Sequence, residues 1–363
     1  MYWIPLSQDS KGDGPGKQDY DSGYLRAGMK RADVRRYLTV RGMYRDSDFV
    51  YKTRWELSIM EKKIAGSRKG NEMKSQKQAY LFLAPSLIIL TIFVFVPLIG
   101  ALVISVMNIN IYMNDISFAG LKNYLKLFSD ARVGNATLNT FYFALLEVPL
   151  QMVLALLLVM FMTRNTRWHK LLRTTFYLPY VCSMTAVSIM WSMLLNKNYG
   201  MLPYLLGRIG IQMPNLLTST VWAMPTVILV TVWKGFGYTL TVLSAAALGV
   251  SNSLYEAAEL DGAGGLQKFR YVTIPGIRDT IGFCAVTTLI TALQVFDQIY
   301  VMTEGGPQYK TETLVGYIYN KGFQTAPFDL GYASSTAVYL FLMIAVLTFV
   351  LRRYAFPQGG EEA

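Results

Sequence analysis

Six stretches of this chain, 79–107, 137–162, 174–195, 220–249, 281–302 and 333–351, run for about 20 residues or more with almost no charge. A helix of that length crosses the roughly 30 Å hydrocarbon core of a bilayer. In hydrocarbon every backbone N–H and C=O must be satisfied within the segment or in a closed sheet, so only helices and barrels span. The runs are continuously apolar and lack the alternation of a barrel strand, which leaves helices. The expected fold is therefore all-α: a polytopic membrane protein of six transmembrane helices. Its composition agrees, since 53% hydrophobic and 16% charged residues is too apolar for a soluble chain of 363 residues.

Charge orients the spans. Arg164, Arg167, Lys170 and Arg173 crowd the second connection without one acidic residue, which marks that side as cytoplasmic. Alternation then places both termini, the 251–277 connection and the closing Arg352–Arg353 pair on the same side. The other three loops carry sparse, mixed charge: Asp115, Lys122, Asp130, Lys197, Arg208, Glu304 and Lys310. The expected domains are a basic cytoplasmic tail over 1–78, a transmembrane domain over 79–353 and a short cytoplasmic tail over 354–363. The first tail holds 17 of the 34 Lys and Arg against 10 acidic residues. Its early part, with Gly12, Gly14, Pro15, Gly16 and Gly23, reads as disordered. A short amphipathic helix is expected from 54 to 64, with Trp55, Ile59 and Ile64 on one side. This tail either only enforces orientation or also adheres to anionic headgroups; nucleic-acid binding fits its sign but finds no motif. No cleavable signal is expected, so the first span directs insertion.

Several chemistries find no support. Cys182 and Cys284 each fall inside an apolar run and His169 is the single histidine, so no metal-ligand spacing arises. A phosphate-binding loop ending in Gly-Lys-Ser or Gly-Lys-Thr is absent, and no Ser, His and Asp set suggests catalysis. The chain is expected to be neither an enzyme nor a nucleotide binder.

The 251–277 connection carries the sharpest local signal. Ser253 and Glu256 have capping-box spacing, which predicts a helix from about Leu254. Ala257 and Ala258 give that helix a small face that a partner can approach closely, and Gly262, after Asp261 and before Ala263, is placed to end it in the left-handed conformation. Leu266, Phe269 and Tyr271 then form a second apolar face before Pro275 breaks the path. The Glu256 carboxylate serves the cap, a partner, or both. A helix resting on lipid headgroups would show similar small and aromatic residues, but would not need Gly and Pro at these offsets.

The same residues resemble the coupling loop of permease subunits in ATP-driven importers. That pattern reads Glu-Ala-Ala, three residues, Gly, nine residues, then Ile, any residue, Leu and Pro; Glu256, Ala257, Ala258, Gly262, Val272, Ile274 and Pro275 occupy those places. Gly120-Leu-Lys-Asn-Tyr124, Asn139-Thr140, Arg173 leading to Leu178-Pro179, and Thr303-Glu-Gly-Gly-Pro307 followed by Thr311, Thr313 and Leu314 resemble the carbohydrate branch, the group around the maltose and glycerol-3-phosphate systems. The long basic tail lies outside that pattern, and six spans match the commoner members rather than the eight-span maltose type. The resemblance implies a sugar-importer permease in a bacterial or archaeal plasma membrane, seated in the lipid bilayer beside a second permease, as a heterodimer. It also implies two ATPase subunits that hold ATP and Mg and receive the coupling loop, and an extracytoplasmic solute-binding protein met near Gly305, Gly306 and Pro307. This chain itself would bind no cofactor.

Three spans carry no charge, while Glu147, Lys234 and Asp297 stand alone in the second, fourth and fifth. A charge at the bilayer centre costs about 2.5–3.5 kcal/mol, so each is expected to face protein or water. Lys234 either pairs with Glu147 or Asp297 to lock helices, or contacts substrate with Trp233, Phe236 and Gln294 along a polar, aromatic path. Gly235 and Gly237 are expected to loosen the helix there. Phe141, Phe143, Trp191 and Trp222 read as packing residues or interface anchors. An ion-coupled secondary sugar transporter is the rival reading, because such carriers use discontinuous helices.

Overall fold

The computed structural model describes residues 3–5, 24–26, 80–113, 116–162 and 166–355. The described residues divide into two units, the first ending at Thr91 and the second beginning at Ile92. In the first, β1 (Trp3–Pro5) pairs antiparallel with β2 (Tyr24–Arg26). The glycines between these strands and the expected 54–64 helix lie outside the described residues.

The elements after the tail are α1 (Tyr80–Ser105), a two-residue hairpin of β3 (Met107–Asn108) and β4 (Ser117–Phe118), α2 (Lys122–Ser129) and α3 (Ala131–Met162). Next come α4 (Arg167–Val181), α5 (Met184–Leu195), α6 (Met201–Arg208) and α7 (Ala223–Leu248). The chain ends with α8 (Asn252–Leu260), α9 (Gly265–Gly276), α10 (Arg278–Leu293), α11 (Asp297–Met302), α12 (Leu314–Tyr319) and α13 (Leu330–Arg353). Among the described residues four helices, α1, α3, α7 and α13, are long and apolar enough to cross a membrane. The pairs α4–α5 and α9–α10 bring the number to six if each is one bent span.

Two of the six expected spans are not single helices but bent pairs. α4 and α5 meet at 93° and α9 and α10 at 72°. Pro179 lies three residues before the first break and cannot donate to the preceding turn. The helix also begins at Arg167, so Arg167, Lys170 and Arg173 belong to its first turns rather than to a loop. In the fifth span Pro275 is not itself the break. It sits inside α9, after a wide π turn at Phe269–Thr273, and the chain bends at Ile277. The same pairing of a wide turn with a proline occurs in α1, where Thr91–Phe95 precedes Pro97. The expected span to 302 is likewise two pieces: α10 ends at Leu293 and Asp297 starts α11. The Thr313 hydroxyl donates to the Val295 carbonyl that this break releases, at 2.9 Å. No Gly or Pro marks it in the sequence.

α3 and α7 form the central pair of the bundle. Ala155 on α3 and Ala247 on α7 are buried beside Phe236, Leu240, Leu243 and Val159, and small residues at such positions let helix backbones approach. A second part of the core gathers Phe143, Val227, Ile228, Leu293, Leu314 and Tyr317. By contrast, α1 leaves most of its apolar side chains exposed and packs on α13 only towards its C-terminal end. Such a face is stable only against lipid or another apolar helix.

Candidate functional site

Three places hold the residues singled out by the sequence. The first is α7. Gly235 and Gly237 sit in unbroken helix, so they do not loosen it. They are points of close approach: a Cβ on Gly235 would run into the Gln151 amide, and one on Gly237 into the Phe176 carbonyl. Just beside them, Lys234 pairs with neither Glu147 nor Asp297. Its ammonium donates to the Tyr180 carbonyl at 3.1 Å and lies 5.1 Å from the Tyr180 ring centre. That carbonyl belongs to the last turn of α4, whose C-terminal carbonyls have no partners in their own helix and carry the negative end of its dipole. The lysine thus bridges the central span to the broken one.

Around it, Tyr180 stacks on Tyr238 at 4.8 Å and Trp191 meets Trp233 edge-on at 5.4 Å. Phe236 packs on Phe176 and is buried, which takes it off any open path. Phe143 is buried as well, while Phe141 and Trp222 are exposed. Glu147 is only 3% exposed, and its Oε2 has no hydrogen-bond partner among the described residues. One turn on, Gln151 donates to Thr239 at 2.9 Å and, more distantly, to Thr288 at 3.4 Å, joining three spans. Gln294 and Asp297 are exposed at the break between α10 and α11. Asp297 opens α11, where the helix dipole favours a carboxylate.

The second place is a helix-turn-helix knob, α8 and α9, between α7 and α10. α8 begins at Asn252 after Ser251, two residues earlier than expected, and the Ser253–Glu256 capping box does not form. The Ser253 hydroxyl instead meets that of Ser251 at 2.8 Å. The reciprocal contact appears one helix later, where the Gln267 amide oxygen accepts from Gly264 N–H at 2.7 Å. Gly262 does end α8 as expected, at φ +77°. Ala263 N–H reaches back to the Ala258 carbonyl at 2.8 Å and Gly262 N–H to that of Glu259 at 3.0 Å, a Schellman closure. Two ties stiffen the knob: Lys268 to Glu259 at 3.2 Å and the Tyr255 hydroxyl to that of Thr273 at 2.9 Å. Phe269 turns inward against the core. Glu256, Ala257, Asp261, Gly262 and Pro275 remain exposed, while Ala258 and Ala263 are half-buried. So do the apolar side chains of Leu254, Leu260, Leu266 and Tyr271, with Leu260 at 90%.

The third place is the turn after α11. Gly305 takes φ +81° with its Cα against Glu312, where a Cβ would come within 3.2 Å of that side chain. The Thr311 hydroxyl donates to the Gly306 carbonyl at 2.7 Å and meets Thr303 at 2.8 Å. Asn139 donates to the carbonyls of Tyr309 and Glu312, both at 2.9 Å, and the Thr140 hydroxyl accepts from Leu314 N–H at 3.0 Å. The Asn139-Thr140 pair and the Gly-Gly-Pro turn, far apart in sequence, are therefore one construction. At its centre the Arg132 guanidinium grips Glu312 with two bonds of 2.7 Å and lies 4.0 Å from the Tyr309 ring centre. Sequence reasoning missed this pair, because neither residue carries a motif. Next to it, burial pushes the Asp130 carboxyl up, but donors from Tyr317 at 2.7 Å, Arg132 N–H at 2.9 Å and Tyr332 at 3.0 Å hold it below the usual range.

Compared with known proteins, residues 128–356 match the family described as binding-protein-dependent transport system inner membrane component. The chain belongs to that family. As a member, it is a multi-pass protein of the inner membrane and a permease subunit. Among its relatives is the lactose transport system permease protein of Rhizobium radiobacter, 33% identical over 75% of this chain and 91% of that protein. The sn-glycerol-3-phosphate transport system permease protein of Agrobacterium fabrum is also 33% identical, over 77% and 94%. A probable ABC transporter permease of Bacillus subtilis is 32% identical over 78% and 97%. Among solved structures, a chain of a bacterial alginate ABC transporter in complex with an alginate pentasaccharide-bound periplasmic protein superposes with a TM-score of 0.69. It is 25% identical and covers 79% of this chain and 96% of that one. The family match takes in the bent spans, the knob and the outer turn, and leaves out the basic tail.

Proposed function

We propose that this permease forms half of the translocation path of an ATP-driven, binding-protein-dependent sugar importer and couples to a separate ATPase subunit through the α8–α9 knob. The observation that carries it is the knob itself: stiffened inside by Glu259–Lys268 and Tyr255–Thr273, yet exposing Leu254, Leu260, Leu266 and Tyr271. Exposed apolar side chains on a rigid projection favour a protein partner. The orientation belongs to the same proposal: both termini and the knob cytoplasmic, the 303–313 turn outside, where a solute-binding protein would dock. Six spans, a second permease as heterodimer partner, and two ATPase subunits holding ATP and Mg complete it. The relatives named for lactose and sn-glycerol-3-phosphate support a sugar or sugar-derived cargo, and Lys234, Trp233, Gln294 and Asp297 offer the polar and aromatic groups to line its route, while Glu147, buried like Phe236, lies off it.

Affinity purification of the tagged chain from its own cells tests this. The wild type should bring down an ATPase subunit, and Gly262→Pro, which cannot take φ +77°, should lose it while the second permease stays bound. Recovery of the ATPase with Gly262→Pro would overturn the coupling role. The bent spans also suit an ion-coupled carrier; uptake by the chain reconstituted alone under an ion gradient would favour that reading instead.

A further inference from the structure

α2 is built inside out relative to a helix on a soluble protein. Asn123 and Leu127, on one side, are buried, and the Asn123 amide donates to the Ser105 carbonyl at 3.1 Å and the Met107 carbonyl at 3.0 Å. Tyr124 meets the Ser105 hydroxyl at 2.7 Å. On the opposite side, Leu121 and Leu125 are each 70% exposed and Phe128 79%. These lie four and three residues apart, within one narrow stripe of the helix, and Phe118 just before it is 80% exposed. A stripe of this kind facing water would be costly, because apolar surface is driven out of water in proportion to its area.

The depth of α2 is fixed by its neighbours. Its inner face is bonded to Ser105, the last residue of the first span, and its C-terminus runs through Asp130 directly into the second span. Lys126 reaches Asp329, the residue capping the last span, at 3.9 Å. Three span ends thus hold the helix at the boundary between hydrocarbon and headgroups. Apolar side chains there belong a few ångströms below the headgroups, while exposed Lys122 can reach the polar layer above.

We propose that α2 is an interfacial anchor whose Phe118, Leu121, Leu125 and Phe128 face is inserted into one leaflet of the bilayer, with lipid as its occupant. This rests on the membrane-spanning family and holds for either orientation of the bundle. The face fixes the tilt of the first, second and last spans against the membrane plane.

Spin labels test it in the whole importer in lipid nanodiscs, placed singly at Leu121→Cys, Leu125→Cys, Phe128→Cys and, as a control, Lys122→Cys, with Cys182→Ser and Cys284→Ser in the background. The first three should collide with dissolved oxygen several-fold more than with a water-soluble nickel chelate, and the ratio should invert at Lys122→Cys. Dominant collision with nickel at 121, 125 and 128 would overturn the proposal in favour of a water-facing helix. Labels shielded from both reagents would overturn it in favour of a protein partner. Labelling of Lys122→Cys in intact cells by an impermeant maleimide reports the side of the membrane separately, so a wrong orientation would not be mistaken for a wrong occupant.

Discussion

At the scale of single residues, the sharpest consequences come from contacts with no slack. Gly237 touches the Phe176 carbonyl, a backbone atom that cannot swing away, so Gly237→Ala should destabilise the subunit by about 1–3 kcal/mol. A lowered melting temperature in detergent would show it, and an unchanged one would mean that α4 and α7 are not packed as described. Arg132→Ala strands the buried Glu312 carboxylate and should cost about 3 kcal/mol, while Arg132→Met with Glu312→Met should be much milder, because no uncompensated charge is left. Acid should act on the neighbouring Asp130. Its carboxyl titrates below the unfolded value near 3.9, so the stability it lends is complete above that pH and drains away as the pH falls through the folded value. Thermal scans from pH 5 to pH 3 should therefore show a steeper loss for the wild type than for Asp130→Asn.

At the scale of elements, the knob depends on how α8 stops. Gly262→Ala must hold an L-residue in the left-handed region at a cost of about 1–2 kcal/mol, enough to fray the turn. Transport should fall by several-fold, with the subunit still inserted and bound to its second permease; full uptake would show that the turn tolerates another shape. This element was legible because Gly, Ala and Pro leave marks at fixed offsets. The capping box was misplaced because Ser251 and Ser253 are chemically alike, and only the approach of Gln267 to Gly264 shows which helix start is closed that way. The breaks at Cys182–Ser183 and at 294–296 were hidden for another reason. Hydropathy reports transfer into lipid and is indifferent to direction, so a bent apolar run reads like a straight one. What holds the bends, Lys234 on the Tyr180 carbonyl and Thr313 on that of Val295, spans 54 and 18 residues and has no local pattern.

On the scale of the whole molecule, the proposed topology sets the knob and the 303–313 turn on opposite sides. An impermeant maleimide applied to intact cells should label Glu304→Cys and spare Asp261→Cys, with both labelled once the membrane is opened; the reverse pattern would invert the molecule. The six apolar runs were readable from composition, but the knot of Arg132, Asn139, Thr140 and Glu312 was not, since it joins residues some 170 to 180 apart. Val250, just after α7, rests against Gly276, the last residue of α9, so closely that a Cβ there would press into it. The strand of chain that departs the bundle and the one that returns are thus pinched together at the root of the projection. A sideways shove on Leu260 would swing both helices as a single crank rather than slide one past the other.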